Sequence, residues 1–176
     1  MRCFLIAVVV TLPAIAAADP LAGLHLEGWY LKLGAESGVV ISRHSSAGAR
    51  GASPLVGGVM TLVHINDDRE WAGLQADLLA DGNDELPTGA RWSFGPEAGV
   101  SVYGVDVSYF GERVAGSTHH GMQVRAKLTV GLAAVYARAS YALIGADETT
   151  VDIGIQLKAP IWMKRPKRGA ATVARR

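Results

Sequence analysis

The chain has 176 residues, 49% of them hydrophobic and 19% charged, with 21 glycines and 17 Lys+Arg against 16 Asp+Glu. One domain fits that length. The single cysteine, Cys3, excludes an internal disulfide or a cysteine metal cluster. No stretch beyond residue 18 approaches 18 consecutive apolar residues, which excludes a membrane-spanning helix.

Residues 1–18 read as a cleaved secretory signal peptide. Arg2 gives the positive start, Cys3 to Ile15 the apolar run, and Ala16-Ala17-Ala18 the small-residue exit, so the mature chain is expected to begin at Asp19. Residues 19–163 form the expected barrel domain, and 164–176 a basic, disordered tail. The tail holds Lys164, Arg165, Lys167, Arg168, Arg175 and Arg176 and no acid. Setting those six and Arg2 aside leaves ten Lys+Arg against all 16 acids in the barrel domain. An exported chain with that balance is not a nucleic-acid binder.

From residue 25 onward the dominant period is two, the mark of a strand with one apolar face. Strands are expected near 25–37, 55–66, 70–79, 89–101, 103–111, 120–131, 133–143 and 149–161. The clearest runs from Met122 to Val130, where apolar and polar residues alternate without a break. Most of the eight have nine to thirteen residues, which suits a tilted transmembrane strand of roughly 9–11 residues. The connections are expected to alternate long and short. Long stretches lie at 42–54, 80–88 and 111–119, and tight turns at 66–69, 103–104 and 131–132. Membrane barrels show that rhythm, with long external loops and short periplasmic turns.

Alternation does not say which face is inside. The polar face collects Lys32, Glu36, Asp77, Arg91, Glu97, Asp106, Arg125, Lys127, Arg138, Asp152 and Lys158, interspersed with glycines. Both signs occur in similar number, so these side chains are expected to fill a narrow lumen as an ion-pair network. Most aromatics lie toward strand ends. Trp29, Trp92, Phe94, Tyr109, Tyr141 and Trp162 are assigned to girdles at the two membrane interfaces, where an amphipathic ring is best placed. Trp71, Tyr103 and Tyr136 have lumen-side parity. The strand around 59–65 is apolar on both faces and its orientation stays open. The expected fold is therefore an all-β, eight-stranded antiparallel up-and-down barrel of the transmembrane type.

Gly28-Trp29-Tyr30-Leu31 is similar to a first strand, and Gly89-Ala90-Arg91-Trp92-Ser93-Phe94-Gly95-Pro96-Glu97-Ala98-Gly99 to a central strand, of small outer-membrane barrels. The chain resembles the eight-stranded OmpA/OmpX type over roughly 24–161. That resemblance implies a Gram-negative outer membrane, contact with the lipid bilayer and lipopolysaccharide, and folding with the barrel-assembly machinery. The machinery reads a terminal aromatic. Here the last strand runs on to Trp162, which is expected to stand in for it.

Candidate chemistry is sparse. His44-Ser45-Ser46 resembles the His-x-Ser region of lipid A deacylases, but no carboxylate can be assigned to orient the base. His119 and His120 are adjacent on a strand, so they point to opposite faces and make a poor chelate. Asp81, Asn83, Asp84 and Glu85 lack Ca²⁺-loop spacing. No catalytic, cofactor or metal site is assigned. The leading reading is a non-enzymatic outer-membrane barrel with a structural or surface-interaction role and no wide pore. The runner-up is a soluble lipocalin-like barrel binding an apolar ligand, and the third a lipid-modifying enzyme. The basic tail is expected to contact the cell wall or lipid headgroups.

Overall fold

The computed structural model describes residues 27–45, 48–50, 52–66, 68–81, 89–114, 117–145 and 148–164. The expected signal peptide, the acidic cluster at 83–85 and the tail beyond Lys164 lie outside them. The elements are β1 Gly28–Ser45, β2 Gly48–Arg50, β3 Ser53–Ile65, β4 Glu70–Asp81, β5 Gly89–Val100, β6 Tyr103–Val114, β7 Ser117–Val130, β8 Ala133–Ile144 and β9 Glu148–Lys164. Each long strand pairs antiparallel with the next in sequence, and β1 pairs with β9 from Trp29↔Lys164 to Ser45↔Glu148. Eight strands thus close into an up-and-down barrel. Closure leaves no exposed edge of backbone donors and acceptors, the condition for crossing a bilayer with strands.

The ladder between β1 and β2 keeps the register of the ladder between β1 and β3: Arg43 faces Arg50 just as Val40 faces Ser53. β2 is therefore the continuation of β3, and the first hairpin narrows to residues 46–47. This corrects the expected long loop at 42–54. The stretch at 111–119 is corrected in the same way, since β6 and β7 stay paired to Val114↔Ser117. Glycine weakens strand propensity in both segments and serine favours turns, but each segment has a hydrogen-bonding neighbour already in register.

The opposite end carries the tight turns. Asn66 to Glu70 closes β3–β4, with Arg69 at φ 63° and the Glu70 amide donating to Asn66 Oδ1 at 2.8 Å. The side-chain amide of Asn66 also donates to Glu70 Oε2 at 2.9 Å. Ser101-Val102 closes β5–β6, two residues before the expected turn at 103–104, and Gly131-Leu132 closes β7–β8. Ser101 and Gly131 have φ of 54° and 61°. Positive φ at the first central residue matches hairpin twist to strand twist. We call this the turn end; both ends of the described chain lie there too.

The polar parity faces inward and the apolar parity outward. Val124, Leu157 and Leu78 are 50%, 58% and 61% exposed, while Arg125, Asp152 and Glu36 are fully buried. β3, apolar on both faces, is also settled. Val59, Thr61 and Val63 point into the lumen, and Met60 and Leu62 point outward.

Candidate functional site

The lumen is packed in three layers. In the middle layer the Arg125 guanidinium meets Glu36 at 2.9 Å, Asp106 at 3.3 Å and Asp77 in a shorter contact. Arg138 makes a forked contact to Asp152, its Nε 3.0 and 2.9 Å from the two carboxylate oxygens, and lies 3.4 Å from Glu36 and 3.9 Å from Asp77. The Gln156 amide donates to Glu36 at 2.6 Å. Both guanidinium groups lie over the Tyr136 ring, at 5.1 and 5.5 Å from its centroid. Six strands supply these side chains, so the layer ties the barrel wall across its own diameter. Arginine suits this role because its planar fork contacts several carboxylates at once.

Toward the loop end, Arg91 donates to Gln123 Oε1 at 2.7 Å and to Ser140, and covers the Phe110 ring at 4.4 Å. Gln123 in turn donates to Ser93 at 2.9 Å. Val40, Leu55 and Leu79 form an apolar cluster on the other side. His119 pairs with Glu148 at 3.7 Å.

Toward the turn end, Lys127 meets Glu97, Asp106 at 3.2 Å and Gln75 at 2.8 Å, and sits 5.7 Å from the Trp71 ring centroid. Lys158 Nζ donates to Thr61 Oγ1 at 3.3 Å. The Lys32 ammonium lies 5.7 Å from the centroid of Tyr30.

Two inward aromatics explain where lumen glycines fall. A Cβ on Gly38 or Gly154, partners across β1 and β9, would lie 2.6 Å from the Tyr136 hydroxyl. Trp71 likewise occupies the side-chain space of Gly99 and Gly104. Each ring reaches over glycines of neighbouring strands and covers backbone that no side chain could share.

All eleven side chains of the charged set named from the sequence point into the lumen, with Lys32 and Lys158 half-buried. Glu36, Asp77, Asp106, Arg125, Arg138 and Asp152 come together in the middle layer, and Lys127 joins Glu97 and Asp106. Arg91 stands apart from that layer, hydrogen-bonded to Gln123 and Ser140, with the buried carboxylate of Glu112 as its cross-strand partner. Sequence reasoning missed the neutral partners Thr61, Gln75, Ser93, Gln123, Ser140 and Gln156. Their signal was available: Gln75, Ser93 and Gln123 each lie two residues from Asp77, Arg91 and Arg125, on the same face.

On the outer wall Trp29, Trp92, Phe94, Tyr109 and Tyr141 are 41–53% exposed. Phe94, Tyr109, Met122 and Tyr141 are successive register partners, so three rings and a thioether share one level across β5–β8. His120 stacks on Tyr109 at 5.8 Å, beside Trp92 at 6.1 Å. At the turn end Trp29 meets His64 edge-on at 5.0 Å. The side chain of Trp162 lies outside the described residues. Tyr30 and Phe110 face inward, so end placement along a strand does not by itself put a ring on the wall. His44 is exposed at the loop end. Among the described residues no group of three or more His, Cys, Asp or Glu is arranged to hold a metal ion.

A charged, closed interior inside an apolar wall defines the class: an eight-stranded antiparallel meander barrel of the transmembrane type. No family profile matches the chain, and no curated protein matches it. Among solved structures it is similar to the crystal structure of Neisserial surface protein A, NspA, at 14% identity and a TM-score of 0.46, over 76% of this chain and 98% of that one.

Proposed function

We propose that this protein is an integral outer-membrane barrel whose sealed lumen serves stability rather than transport, and whose role is structural or at the cell surface. The observation that carries the reading is the inversion of the barrel. A water-soluble barrel of this size would place Val124, Ala126 and Ile155 inside and Arg125, Arg138 and Asp152 outside. Here the order is reversed across all eight strands, and hydrocarbon is the solvent in which that reversal is favourable.

An apolar-ligand carrier needs an apolar lumen. This interior is instead crossed by Arg125, Arg138 and Lys127 with their carboxylates, which favours the sealed barrel. The loop end would face outward, toward lipopolysaccharide. The turn end would face the periplasm, where the basic residues after Lys164 could meet anionic headgroups or the cell wall. Insertion would use the barrel-assembly machinery. Fractionation of cells tests the reading. The mature protein is expected in the outer-membrane fraction, with faster gel mobility unheated than boiled. Recovery in the periplasm without detergent would refute it.

A further inference from the structure

Toward the turn end, two lumen cations, Lys32 and Lys158, sit apart from the ion-pair network. Among the described residues, Lys32 and Lys158 have no carboxylate within ion-pair distance. The Lys158 ammonium has the Thr61 hydroxyl at 3.3 Å, and the Lys32 ammonium has the face of Tyr30. The acids on this side are engaged elsewhere: Glu97 by Lys127, and Asp106 by Lys127 and Arg125. Register brings the two lysines together. Lys32 on β1 is the cross-strand partner of Thr61 on β3, and Lys158 reaches that hydroxyl from β9, past β1. Glu97 attracts both lysines from beyond ion-pair distance, while Lys127 repels both and the two repel each other. Lys158 also lies beside the β7–β8 turn, its amide donating to the Leu132 carbonyl at 2.8 Å, so the pair sits at the turn-end mouth of the lumen. Both side chains are half-buried.

Two neighbouring ammonium groups in a low-dielectric wall repel each other, and an anion between them converts that repulsion into attraction. Thr61 is buried and already accepts from Lys158, which leaves its hydroxyl hydrogen free to donate to the same anion. We propose that Lys32, Lys158 and Thr61 form a binding site for a small multi-oxygen anion, of the phosphate or carboxylate kind, entering the lumen from the turn end. The proposal rests on the lumen geometry and not on the surface role proposed above.

The test uses the full-length mature protein folded in a non-ionic detergent free of lipid phosphate. Unfolding midpoints in urea are read against inorganic phosphate, with sodium chloride at matched ionic strength as reference. Phosphate is expected to raise the midpoint beyond chloride, because a ligand bound only by the folded state stabilises it. Lys32→Gln and Lys158→Gln are each expected to weaken the apparent phosphate affinity by about tenfold, the loss of one charge-assisted contact. The double variant should lose the response, and Arg69→Gln, on the exposed turn at the same end, should keep it. Without phosphate, the lysine variants should be at least as stable as the parent, since repulsion is removed. Equal responses to phosphate and chloride overturn the proposal. So does an undiminished phosphate response in the double variant. So does a response to phosphatidylglycerol vesicles with none to free phosphate, which would make the ligand a headgroup rather than a soluble anion. Loss of phosphate-free stability in Lys32→Gln or Lys158→Gln would assign the pair to holding the wall and overturn it as well.

Discussion

Arg125→Met removes the centre of the middle layer while keeping most of the side-chain volume. Three carboxylates lose a partner, Glu36, Asp77 and Asp106. Removing one member of a buried ion pair costs about 3–5 kcal/mol, because a charge is left buried and uncompensated. The structure argues for the lower end of that range. Glu36 and Asp77 keep Arg138, at 3.4 and 3.9 Å, and Asp106 keeps Lys127 at 3.2 Å. We therefore expect a loss of about 3 kcal/mol, which at a urea slope of about 1–3 kcal/mol/M lowers the midpoint by about 1–3 M. Urea titration of the barrel in lipid vesicles, read by the unheated-versus-boiled gel shift, measures it. Adding Asp77→Asn to Arg125→Met should recover part of the loss, because one stranded charge is removed with its partner. A loss below about 1 kcal/mol, the range of solvent-exposed ion pairs, would refute the sealed network and mean that water reaches Arg125. Additive losses in the double variant would mean that Arg125 and Asp77 do not interact.

Val124→Arg places a charge on the outer wall of β7. In vesicles it should cost about 2–4 kcal/mol if residue 124 lies near the bilayer midplane, measured by the same titration, whereas a wall facing water would leave stability unchanged. Tyr136→Ala uncovers Gly38 and Gly154 and removes the ring beneath both arginines. A cost of about 3–5 kcal/mol is expected for such a buried aromatic truncation, and a cost under 1 kcal/mol would show that the ring is not packed there. Gly99→Ala should displace Trp71 from β5 and β6; an unaltered tryptophan emission spectrum would count against the overlap of ring and glycine.

Much of the wall was legible before the chain was folded. Met122 to Val130 alternates so strictly that its parity is fixed by the two-residue period of a strand, and once Val124 points outward Arg125 points inward. The same rule places Asp77, Glu97 and Asp152. Strand ends were less legible. Residues 42–45 and 48–50 carry serine, glycine, arginine and histidine, residues that also build loops, and they are strand only because Arg43 and Ser45 find partners in both Arg50–Gly48 and Thr150–Glu148. In the site, parity identified eleven charges but missed the buried Glu112 and Glu148 and the neutral partners, because a glutamine on a polar face carries no sign to match.

The amino-acid order by itself determined the number of strands, their antiparallel order and the two faces of each, since these follow from local period and short connections. It also determined that both signs of charge share one face. Only the tertiary structure decided that this face is the inside. That depends on Trp29–Ser45 meeting Glu148–Lys164 across the closing seam, a contact between distant parts of the chain. Closure also decided the orientation of β3, apolar on both sides, because Val59 and Val63 take their direction from their partners and not from their own polarity. Closure, finally, gave Arg125 its carboxylates from three other strands and left Lys32 and Lys158 with none in ion-pair range among the described residues. Those distances depend on barrel stagger, which no local pattern encodes.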